Sequence, residues 1–142
     1  MLVDANLLLF ARNADDPRNP AASQWLTDAL NGPTRVGLPW QSLAAFVRIA
    51  TNPRAFQLPL EPEVAWDQVE TWLEAPSAWV PNPTSRHGEV LGDLVRRHRV
   101  RGPLVTDAQL VALALEHGLA VASADSDFAR FPEVRWVDPL VT

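Results

Sequence analysis

Five oxygen-bearing side chains in this sequence stand where a parallel sheet would gather them. Asp4 and Asn6 follow the apolar triplet Met1-Leu2-Val3, and Asp125 and Asp127 follow Leu119–Ala122. Asp107, in Thr106-Asp107-Ala108, sits in the first turn of an apolar helical stretch. Each acid has an ordinary use by itself. Asp4 can cap a helix, Asp107 can favour a helix dipole, and Asp125 and Asp127 can shape a turn. Collected at one edge, they would place several like charges close together, an arrangement that persists only if a proton or a cation compensates it. An all-oxygen ligand set is suited to a hard divalent cation, Mg2+ or Mn2+.

The elements that would do the gathering alternate along the chain. Short apolar runs at Met1–Val3, Thr34–Leu38, Trp79-Val80, Leu119–Ala122 and Val134–Val137 read as strands. Between them, helical spacing covers Ala5–Asn13, Asn19–Leu30, Pro39 to about Ala50, Glu63–Glu74, Thr84–His98 and Leu104–Glu116. Asn31-Gly32-Pro33, Asn52-Pro53 and Pro59–Pro62 break the series, and Gly118 suits a helix C-terminal cap. This alternation predicts an α/β fold with a mostly parallel sheet covered on both faces, in which sites form beyond the carboxyl ends of the strands. With 142 residues, no repeat and no linker, the whole span 1–142 is expected to form one domain.

Composition removes several chemistries. The chain has no Cys, hence no thiolate metal site and no thiol nucleophile. All 12 basic residues are Arg, so Schiff-base and P-loop lysine chemistry are excluded. The net charge of −5 argues against a passive coat for nucleic acid, but not against an enzyme whose acids hold cations. The apolar run Leu7–Phe10 is too short for a membrane span and lacks a basic leader in front of it, so a cytoplasmic location is expected.

Four pieces, taken in order, resemble the PIN domain. They are Leu2-Val3-Asp4-Ala5-Asn6, Pro39-Trp40-Gln41-Ser42 running on to Phe46–Arg54, Thr106-Asp107-Ala108, and Ala124-Asp125-Ser126-Asp127-Phe128. Within that family the pattern is similar to the VapC toxins of type II VapBC toxin–antitoxin pairs. The resemblance implies a single α/β/α sandwich and Mg2+- or Mn2+-dependent endoribonuclease activity. It also implies neutralisation by a VapB-like antitoxin and assembly into a homodimer. Asp4, Asp107 and Asp125 map onto the family's metal-binding acids. Asp127 is a further carboxylate at the rim, since residues two apart on an extended segment point the same way. Asn6 would support Asp4 by hydrogen bonding. One position departs: the family usually carries Glu directly ahead of the Phe, and here Ala45 precedes Phe46. Weakened cleavage is therefore expected.

A positive rim is needed beside such a site, and Arg48, Arg86 and the run Arg96–Arg101 are candidates, although a helix end equally favours cations. His87, His98 and His117 lack ligand spacing and are expected at the surface, while the six Trp are expected mostly in the core or at a dimer face. Two other readings compete. A phosphatase with Asp4 as nucleophile lacks both the neighbouring acid and a Lys. A non-catalytic module binding antitoxin or RNA would treat Ala45 as the mark of a decayed site.

Overall fold

The computed structural model describes residues 1–141. Its elements in chain order are β1 (Leu2–Val3), α1 (Ala5–Arg12), α2 (Asn19–Leu30), β2 (Val36–Gly37), α3 (Trp40–Ala50), α4 (Pro62–Leu73), β3 (Ala78–Trp79), α5 (His87–His98), α6 (Leu104–His117), β4 (Val121–Ala122) and β5 (Trp136–Val137), with a 3-10 helix, Ser126–Arg130, before the last strand. The sheet order is β3-β2-β1-β4-β5 and every pairing is parallel. Among the described residues no helix is long and apolar enough to cross a membrane.

Side chains alternate across a strand, and this divides the interior. Val3 and Ala122 join one apolar cluster with Leu8, Leu26, Phe46 and Val69 from α1 to α4. Leu2 and Val121 point the other way and join Leu94 of α5 with Leu110 and Val111 of α6. The result is the expected α/β/α sandwich, with two cores separated by the sheet.

The strands are shorter than their apolar runs predict. Thr34–Leu38, Leu119–Ala122 and Val134–Val137 each contract to two residues. Flanking groups still pair, as Leu38 N to Trp79 O (2.8 Å) and Leu2 N to Ala120 O (2.7 Å), so the chain diverges just outside the ladder. The third predicted strand, Trp79-Val80, shifts to Ala78–Trp79 ahead of Pro81. The helix expected from Thr84 begins at His87, because Thr84 gives its backbone N–H (2.9 Å) to the Glu116 carboxylate and stays outside the helix. Gly118, at φ +66°, closes α6 in the left-handed conformation.

Of the six tryptophans, Trp72 is buried, Trp25 and Trp136 pack against the two cores and Trp79 is part-buried, while Trp40 and Trp66 are 48% and 44% exposed. They stack on each other, with ring centroids 6.4 Å apart and planes 7° from parallel. The three histidines are partly exposed, and each is engaged by a neighbour. His87 Nδ1 lies 2.6 Å from Glu116, His98 Nε2 lies 2.7 Å from Glu133, and His117 Nε2 meets Asn82 O at 2.8 Å. In the basic run, Arg97 is engaged by Asp93 (2.8 Å) and Glu133 (3.1 Å).

Candidate metal centre

From β1 the chain builds outward to β2 and β3 on one side, while β4 and β5 fill the other. The junction of β1 and β4 is therefore a topological switch point, where helices part beyond the strand ends and leave a crevice. Leu2 is in register with Val121 and Val3 with Ala122, so the next residues out are Asp4 and Ser123. Asp4 N donates to Ala122 O and Ser123 N to Val137 O, both at 3.0 Å, which anchors the two backbones in the sheet.

Asp4 caps α1, its Oδ1 accepting from Ala5 N at 2.8 Å. Its Oδ2 accepts from Ser123 Oγ, also at 2.8 Å. Ser123 is fully buried, and its Oγ accepts in turn from Asn6 Nδ2 and from Asp125 N, each at 3.0 Å. One hydroxyl thus ties β1, α1 and the segment after β4 together. Trp136 Nε1 holds the Ser123 carbonyl from the neighbouring strand at 2.9 Å. Asp125 caps the 3-10 helix by accepting from Asp127 N at 2.9 Å. The capping and turn-shaping uses anticipated for Asp4 and Asp125 are therefore real. They aim the remaining lone pairs of both carboxylates.

Asp107 arrives from the first turn of α6. One carboxylate oxygen from each of Asp107, Asp125 and Asp127 lies within 4.8 Å of the others. Asp4 stands outside this triplet, near enough for its charge to act on Asp107. Burial, and then the charges of Asp4, Asp125 and Asp127, push the Asp107 carboxyl up to about 6. Burial also raises Asp4, against the hydrogen bonds from Ser123 and Ala5, and the Asp125 charge adds to the rise. No donor among the described residues reaches the Asp107 carboxylate, so an acid already crowded by like charges has free acceptor sites. Such a donor set fits a hard divalent cation, with Asp107, Asp125 and Asp127 as the residues able to hold it and Asp4 beside them.

Other residues singled out in the sequence fall outside this cluster. Ala45 is half-buried on α3 and brings no polar atom. Arg48 is exposed one turn further along that helix. Ser123 is the residue that sequence reasoning missed. It follows β4 as Asp4 follows β1, and in-register parallel strands set such residues side by side.

A parallel α/β/α sandwich with carboxylates gathered at its switch point defines a class of metal-binding domain. The PIN-domain profile matches residues 1–134, and the chain belongs to the PIN-domain family. It is 46% identical over 138 residues to "Ribonuclease VapC37" of Mycobacterium tuberculosis, covering 97% of this chain and 96% of that one. It is 36% identical over 140 residues to "Ribonuclease VapC33" of the same species, covering 99% and 98%. These relatives place it among the VapC members of the family. In fold, it is similar to the Sarcin-Ricin loop cleaving toxin VapC20 of M. tuberculosis, with a TM-score of 0.68 and 22% identity over 94% of this chain and 98% of that one. VapBC2 from Rickettsia felis, solved bound to a promoter DNA fragment, gives a TM-score of 0.65 at 13% identity over 96% of both chains.

Proposed function

We propose that this chain is the toxin of a type II toxin–antitoxin pair, a cytoplasmic endoribonuclease that hydrolyses RNA phosphodiesters with Mg2+ or Mn2+. The observation carrying this reading is the meeting of Asp107, Asp125 and Asp127 oxygens within 4.8 Å, beside Asp4, in a chain with VapC relatives. A bound divalent cation supplies charge neutralisation at the phosphate and lowers the pKa of the attacking water. The protein's part is positional. Ser123 and Ala5 hold the Asp4 carboxylate from two sides, Asn6 orients Ser123, and Asp107 offers unpaired lone pairs from the opposite element.

The partner is a VapB-like antitoxin carrying a basic segment, since Arg pairs well with clustered carboxylates. A groove of about 230 Å³ between the C-terminal halves of α1 and α3, lined by Leu9, Phe46, Phe56, Leu58 and Leu60, lies at the ends of these helices away from the acids and offers an apolar surface for a further part of such a peptide. The chain self-associates as a homodimer, which sedimentation at micromolar concentration tests; a monomer alone would contradict it.

Ala45 leaves α3 without an acid where the family carries one, and cleavage is therefore slow. Incubating the chain and its Ala45→Glu variant with a labelled RNA pool, with and without Mn2+, tests both statements. Metal-dependent cleavage is expected, faster by about a hundredfold for Ala45→Glu, as for restoring a positioning or base group. Equal rates would show that the four aspartates suffice, and no cleavage by either version would favour the binding-module reading.

A further inference from the structure

The Trp40–Trp66 pair is the largest exposed aromatic surface, and its position relates it to the acid cluster. Gln41 Nε2 donates to Thr106 O at 3.2 Å, joining the start of α3 to the first turn of α6 one residue before Asp107. Gln41 and Ala45 are four apart, so they share one stripe of α3, which meets α6 at its Gln41 end. The adjacent stripe, Trp40, Ala44 and Arg48, is exposed along its length. Trp66 of α4 braces the Trp40 ring in a parallel stack, which fixes the orientation of an indole that solvent would otherwise leave mobile. Among the described residues Arg48 has no ion-pair partner. A flat aromatic face thus stands at the end of α3 that meets α6, with a small residue and a free guanidinium further along the same stripe.

We propose that this stripe binds single-stranded RNA, Trp40 stacking on an unpaired base next to the phosphate at the acid cluster and Arg48 holding a neighbouring phosphate. The proposal rests on the nuclease reading for its geometry. Aromatic stacking recognises any unpaired base by its π-face, while a duplex keeps its bases stacked on one another and offers none. An acidic protein also needs local attraction for a polyanion, and an aromatic plate supplies affinity that does not depend on charge.

The test uses the full chain carrying Asp107→Asn, so that RNA is bound without being cut, and short fluorescein-labelled single-stranded RNA of random sequence. Stacking is expected to quench indole fluorescence, and Trp40→Ala to weaken binding about tenfold, with Trp40→Phe retaining most of it. The same RNA annealed to its complement should bind weakly and quench little. Arg48→Gln should lower both affinity and its salt dependence. Unchanged RNA affinity in Trp40→Ala overturns the proposal. So does a pair that only joins two copies of the chain, seen as Trp66→Ala converting dimer to monomer while RNA affinity per protomer stays the same. Failure of the nuclease reading looks different: the chain without Asp107→Asn would cleave no RNA with Mn2+, yet Trp40-dependent binding would persist.

Discussion

Asp107 is the residue whose environment most constrains its chemistry. Its carboxyl titrates near 6 in the folded chain, above the ordinary Asp value of 3.8. Between those values the folded state binds more protons than the unfolded one, so metal-free stability falls as pH rises from about 4 to about 6. Urea denaturation across that range, with chelator present, is expected to show the fall, and Asp107→Asn to abolish most of it. The same proton competes with a cation. Apparent Mn2+ affinity by calorimetry should therefore rise with pH up to about 6 and then level; affinity independent of pH from 5 upward would place the cation elsewhere. Ser123→Ala is a sharper probe of positioning. It removes the donor to Asp4 and the acceptor for Asn6 and Asp125, so cleavage should drop by about tenfold or more at saturating Mn2+ while RNA affinity is kept. The acids themselves were legible from the sequence because each follows a strand or opens a helix on one sheet edge. Ser123 was not, since a buried serine has no compositional signature and its role depends on strand register.

At the level of elements, the helices were read more closely than the strands. Helix boundaries are announced by Pro at Pro20 and Pro62 and by Gly118, residues with strong backbone preferences. Strand ends depend instead on where a neighbouring strand turns away, which no local signal records. Thr84 illustrates the same difficulty for a helix start, because its capture by Glu116 is a contact over 32 positions. Burial works against the charged Glu116, but hydrogen bonds from Thr84 and His87 hold its carboxyl below the usual range. Gly118 joins α6, which carries Asp107, to β4, which leads to Asp125. Gly118→Ala forces a left-handed alanine at φ +66° and should cost about 1 kcal/mol. Thermal unfolding measures that loss, and an unchanged midpoint would mean the turn relaxes to another cap.

For the whole molecule, the two cores differ in how they meet the sheet. Phe46 is fully buried on the α1–α4 side, edge-on to Trp72 with centroids 4.8 Å apart. Phe46→Ala should cost ~3–5 kcal/mol by urea denaturation, through lost burial and the cavity left behind. Leu94→Ala, in the core on the opposite face, should cost ~2–5 kcal/mol. β1 and β4 lie between these cores, and the amides of Asp4 and Ser123 belong to their ladders. To free the Asp4 amide the central strands β1 and β4 must separate, which dismantles both cores at once, whereas the Ser123 amide is freed when the edge strand β5 peels from β4. Hydrogen exchange at Asp4 should then proceed only by global opening, while Ser123 exchanges sooner and the exposed segment around Asp127 earliest. An antagonist consequently gains nothing by loosening this centre, because distortion there costs the stability of the entire chain. Reversible silencing falls to occlusion: a partner can cover the carboxylates, or answer their charge, and leave beneath it an intact centre that regains its activity when the partner departs.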